Sequence, residues 1–153
     1  MDRTKQEPDL KDALMSFETS LSTPIVSGEL AAWIGEVQKA WTAASASIHD
    51  NVARLHPAQY EEMAQADPEL LPRIEVLKAD DEAIDQQRER VSRLVERDAQ
   101  AVPKFEPDEG KAQKHLQSLV DEGLSFVIRV RKQEVAVETW LMEAFNRDRG
   151  AVD

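Results

Sequence analysis

The stretch from Asp108 to Arg147 constrains the fold of this chain more than any other, because it carries the longest helical pattern and breaks that pattern with charge. Leu116, Val120, Leu124, Val127, Leu141 and Phe145 recur at helical steps, and at about 100° of rotation per residue they share one face. Arg131, Glu134 and Glu138 project into the same arc, at about 60°, 0° and 40° from Leu116. An ion placed where core belongs costs several kcal/mol unless it is paired or bound. The pattern therefore predicts a bundle with a polar layer inside it, satisfied by other helices, by water or by a metal.

A second stretch repeats the feature. Leu70, Ile74, Leu77, Ile84, Val91 and Val95 form a stripe that ends near Asp98, and Asp81 and Arg88 lie about 20° and 0° from Leu70. Asp85 follows at about 60°, whereas Glu82, Gln86, Arg90, Arg93 and Arg97 sort to the opposite side as a solvated face. The predicted interior layer is thus Asp81, Arg88, Arg131, Glu134 and Glu138.

The rest of the chain reads as helix as well. Leu10, Leu14, Phe17 and Leu21 make a short amphipathic segment within residues 1–23, interrupted at Thr23-Pro24. Residues 24–150 form the expected helical-bundle domain. Its first helix runs from about Val26 to Leu55, capped by Thr23 or Ser27, with Leu30, Trp33, Ile34, Val37, Trp41, Ala44, Ile48, Val52 and Leu55 as the stripe. His49 and His56 fall at its margin, about 100° and 80° from Leu30, as boundary residues able to titrate. Pro57, Pro68 and Pro72 frame a short helical piece from Ala58 to Gln65, and helices from Pro72 to Arg97 and Asp108 to Arg147 follow, separated by a loop from Ala99 to Pro107. His115, about 260° from Leu116, is expected to face solvent.

Composition removes whole classes of function. With 19 basic and 30 acidic residues the chain carries a formal charge of −11, which repels phosphate backbones and anionic lipid, so neither nucleic acid nor membrane is an expected partner. There is no Cys, hence no disulfide, thiolate site or cysteine nucleophile, in keeping with a cytoplasmic location. The polar run Met1 to Glu7 leads into no apolar signal core. No phosphate loop, nucleophile elbow or triad cue is present, so no catalytic residue is assigned and the expectation leans away from an enzyme.

Asp67-Pro68-Glu69-Leu70-Leu71-Pro72 running into Leu77-Lys78-Ala79-Asp80-Asp81, together with Glu143-Ala144-Phe145-Asn146-Arg147-Asp148-Arg149-Gly150, resembles the hemerythrin-like domain over roughly Val26 to Gly150. The resemblance implies an all-α four-helix bundle, here with an extra N-terminal helical segment, holding an iron pair between histidines and carboxylates of facing helices. Most of that ligand set is replaced. Where the family has a Glu-His pair after a leucine, this chain has Asp80-Asp81 after Leu77; Gln133 and Arg129 stand where histidines are expected; His56, with Glu61 across Pro57, matches a first-helix histidine.

Two accounts of the inward charges remain open. In one, Asp81, Glu134 and Glu138 are neutralised by Arg88 and Arg131, no cofactor is bound, and the domain is a binding or scaffold module for a protein partner or for itself. In the other, His49, His56, Asp81, Glu134 and Glu138 hold iron or another divalent metal in a rearranged carboxylate site, as a metal-binding or oxygen-sensing protein.

Overall fold

The computed structural model describes residues 9–26, 28–105 and 109–152, and among them every regular element is a helix. The N-terminal segment forms α1, Leu10–Ser22. Asp9 caps it by accepting a 2.8 Å hydrogen bond from the Asp12 amide, and Thr23 closes it by donating to the Thr19 carbonyl. Thr23 thus ends a helix rather than starting the next one. The alternative cap, Ser27, lies outside the described residues, and the turn is made by Gly28, whose φ of 80° favours a residue without a Cβ.

The following helix, α2 (Leu30–Asp50), does not stop before Pro57 as its proline suggests. It passes through a π turn, Asn51–Leu55, into α3 (His56–Ala66), making one continuous helical rod. Proline lacks an N–H and its ring collides with the carbonyl of the preceding turn; one wider turn beforehand relieves both problems. The chain breaks only at Asp67, where φ is −149° and ψ is 95°, and Pro68–Leu70 forms a single 3₁₀ turn. Next, α4 spans Leu71–Phe105, including most of the segment expected to be a loop. Val102 is fully buried, and its packing outweighs the one backbone bond that Pro103 forfeits. The last helix, α5, covers Glu109–Val152; Asp108 lies outside the described residues.

The short proline-framed piece is therefore the continuation of α2, and α1 supplies the fourth helix at one end only. There Phe17, Trp41 and Phe126 meet from α1, α2 and α5, with ring centroids 4.8 and 5.7 Å apart, and Trp41 donates to Ser92 of α4 at 3.0 Å. Both tryptophans are core anchors, as Trp33 is also buried and donates to the Thr23 carbonyl. At the other end Tyr60, Met63, Leu70, Ile74, Leu77, Val137 and Ala144 form a second apolar cluster built from α3, the 3₁₀ turn, α4 and α5. No helix among the described residues is long and apolar enough to cross a membrane.

The approach of α1 to α5 depends on Gly123. A Cβ there would lie 2.5 Å from a Leu21 methyl and 3.3 Å from the Phe17 ring, whereas one at Gly35, on the exposed side of α2, meets nothing within 4 Å. Gly123→Val is accordingly expected to destabilise the protein by about 1–3 kcal/mol through overpacking, while Gly35→Ala gains up to about 1 kcal/mol of helix propensity. Urea unfolding of both variants checks this; a Gly123→Val protein no less stable than the wild type would mean α1 does not pack on α5 as described.

Candidate functional site: a buried ionic layer

Between the two apolar clusters lies a layer of polar side chains contributed by the α2–α3 rod, α4 and α5. Its centre is His56, which is 1% exposed. On one edge of the ring Nδ1 lies 2.9 and 3.0 Å from the two oxygens of Asp81; on the other, Nε2 lies 2.7 Å from Oε1 of Glu134. Tyr60 donates its hydroxyl to Asp81 at 2.6 Å. The Gln133 amide donates to Asp81 at 3.0 Å and to the Leu77 carbonyl at 2.9 Å, and Asn51 donates to Glu134 at 2.9 Å. Asp81 and Gln133 are buried, and Glu134 and Asn51 are partly exposed.

The π turn is what brings His56 inward. Counted along a regular helix, His56 projects about 80° from Leu30, but one extra residue in the wide turn removes about 100° of rotation, which returns it to the centre of the stripe. The same shift carries Leu55 out to the surface, 47% exposed, although the regular count makes it core. The bond that defines the turn runs from the His56 amide to the Asn51 carbonyl, so the two residues that flank Glu134 are tied to each other.

A neutral imidazole has one donor and one lone pair, and here a lone pair would face a carboxylate. With both carboxylates ionised, both ring nitrogens donate and the ring is an imidazolium. Burial alone pushes the His56 pKa down, but the hydrogen bonds to Asp81 and Glu134 and their charges outweigh it and raise the value to about 9. Burial and the adjacent Asp81 carboxylate likewise hold the Tyr60 hydroxyl protonated, far above the usual phenol range.

The five residues expected to make the layer divide. Asp81 and Glu134 belong to it. Arg131 instead reaches α1, pairing with Glu18 at 2.7 Å, and Arg88 turns to the α2–α4 side, bonding Asp85 at 2.9 Å and Ser45 at 3.1 Å. Glu138 is exposed. Among the further metal candidates His56 is central, while His49 is exposed and 3.8 Å from Asp85. The cause on α5 is a phase error. Leu119, Phe126, Val130, Val137 and Ala144, all buried, centre the inward direction about 60° to the other side of Leu116, whereas Val120 and Leu124, counted as stripe residues, are only partly buried at the edge of the first apolar cluster. Glu138 and Arg131 then fall about 100° or more from the axis, and Gln133 within about 40° of it. Phe145, placed in the stripe, is 45% exposed for the same reason.

Polar groups outside this layer also enter the interior. Asp98 is fully buried, with Arg97 at 2.9 Å and His115 at 3.0 Å, so His115 is half-buried rather than solvent-facing. Gln87 is buried beside Arg129, which donates to it at 3.1 Å. Asp98 was hidden by its place at the apparent end of a helix; once α4 is seen to continue, it is an interior position.

The iron pair that the resemblance implies does not fit these donors as arranged. Both nitrogens of the one central histidine are spent on carboxylates at opposite ring edges, and the amides of Gln133 and Asn51 aim N–H groups at those same oxygens. Among the described residues no group of three or more His, Asp or Glu is disposed to hold a metal ion. No known family model, curated protein or solved structure matches the chain.

The raised proton affinity of His56 has a sign that can be tested. Below about pH 6.5 the ring is protonated folded or unfolded and its stabilisation is complete; between there and about pH 9 only the folded state holds the proton, and the contribution fades. At about 1.4 kcal/mol per pKa unit, the loss is on the order of 3 kcal/mol. Urea unfolding from pH 6 to 9.5 should show that decline, and His56→Gln should flatten it; a flat wild-type profile would exclude the imidazolium.

Proposed function

We propose that the protein is a binding or scaffold module built on a hemerythrin-like bundle whose metal site has been replaced by a self-neutralised ionic layer. The observation that carries this reading is the double engagement of His56. An imidazolium between two carboxylates puts a positive charge where a cation would otherwise be needed, and it presents no lone pair. Two further facts support it. His56, Asp81 and Gln133, the positions that the resemblance equates with metal ligands, share one layer although they come from three different elements. The layer also lies between the two apolar clusters, with His56, Asp81 and Gln133 buried, an arrangement suited to holding helices rather than to turning over a substrate.

Breaking the layer should then affect stability and nothing metal-dependent. Protein purified without chelator is expected to contain no stoichiometric iron, and its thermal midpoint is expected to stay within about a degree on addition of Fe(II), Mn(II), Zn(II) or Mg(II), because a ligand that does not bind the native state cannot stabilise it. Elemental analysis and calorimetry make the test. Stoichiometric iron, or a midpoint raised by any of these ions, overturns the proposal in favour of a rearranged carboxylate site with a metal-binding or oxygen-sensing role.

A further inference from the structure

The seam between α2 and α4 opens into a groove of about 480 Å³ that takes no part in the ionic layer. Its α2 wall is one helix face, stepping by three and four residues from Gln38 to His49, and its α4 wall runs from Arg88 to Glu96. Two hydrogen bonds cross the seam. Arg88 Nη1 donates to Ser45 Oγ at 3.1 Å and, one turn away, Trp41 Nε1 donates to Ser92 Oγ at 3.0 Å.

Both bonds use a serine as the acceptor, so each hydroxyl keeps its own hydrogen to give, and neither finds an acceptor among the described residues. Arg88 is similar. Asp85 takes its Nε at 2.9 Å and Ser45 its Nη1, while Nη2 has no partner there; the side chain is 16% exposed, so it is held in the wall rather than extended into solvent. Three donors without acceptors thus share about 6 Å of one groove, beside an apolar floor of Trp41 and Val95. At the far end the sign reverses. Glu96, about 12 Å along α4 from Arg88, is exposed and has no ion-pair partner among the described residues.

We infer that the groove binds a small zwitterion of the ω-amino acid class, its carboxylate on Arg88, Ser45 and Ser92, its alkyl body over Trp41 and Val95, and its ammonium toward Glu96. Unmatched N–H and O–H donors beside a guanidinium select an oxyanion. Charge selects which one. Asp85 already neutralises much of Arg88 and the chain carries −11, so a singly charged carboxylate with a cationic tail is favoured over a bare anion or a phosphate dianion. None of these residues belongs to the His56 layer, so the inference goes beyond the scaffold reading and its test is independent of iron content.

The Trp41 indole N–H, bonded to Ser92, is a reporter inside the groove. Its NMR signal is followed while nitrogen-labelled protein is titrated with ε-aminocaproate, with caproate and inorganic phosphate as comparisons. A saturable shift with ε-aminocaproate is expected, its affinity lowered about tenfold or more by Arg88→Gln and by a smaller factor by Ser45→Ala, which leaves every ion pair in place. Caproate is expected to bind about tenfold more weakly, and Glu96→Gln to erase that difference. A shift that does not saturate, or that sodium chloride reproduces, overturns the inference. So does affinity unaltered by Arg88→Gln and Ser45→Ala, equal affinity for caproate, or tighter binding of phosphate, which would give the groove to a phosphate ligand.

Discussion

A protonated imidazole held between two carboxylates is the interaction on which the arrangement of the three long helices depends. His56 comes from the rod of α2 and α3, Asp81 from α4 and Glu134 from α5, so the contact ties every long element at one level. Apolar layers can be packed in more than one register at little cost; a layer that must satisfy two carboxylates, an imidazolium, two amides and a phenol restricts the register far more. The apolar clusters above and below supply the driving force for association. The ionic layer supplies its uniqueness, and on energetic grounds it need not add stability over a well-packed apolar substitute.

The π turn and the layer explain each other. Without the extra residue, Leu55 would point inward and His56 and Tyr60 would turn away from the stripe together, leaving Asp81 buried without either partner. With it, His56, Tyr60 and Met63 share one face, and Pro57 follows without breaking the rod. A wide helical turn is a local departure from ideal geometry, and such departures persist where neighbouring contacts over-determine them. Here the contacts are those that His56 and Tyr60, placed by the turn, make with Asp81 and Glu134.

Much of the helical architecture is readable in the residues. The spacing of Leu10, Leu14, Phe17 and Leu21 gives α1 as observed, and the stripes of α2 and α4 contain their buried residues nearly throughout. That charge enters the interior through Asp81 and Glu134 is also readable. What neutralises it is not, for two physical reasons. A regular 3.6-residue count cannot register a π turn, so His56 is misplaced by one residue's rotation. Arg88 lies within the arc but has a stem long enough to carry its guanidinium to the interface edge beside Asp85, and Arg131 lies off the inward axis, beside Glu18 of α1. Gln133 is a third case. On α5 the apolar arc is shared between neighbouring helices, so its centre cannot be found from one helix alone.

The protonation state of His56 decides the account most directly. Nitrogen-detected NMR of the labelled side chain, followed from pH 5 to pH 10, reads both ring nitrogens at once. The account predicts that Nδ1 and Nε2 both carry protons at pH 8 and that the ring titrates near pH 9. A single protonated nitrogen at pH 8, with titration at or below the ordinary histidine value, would contradict it.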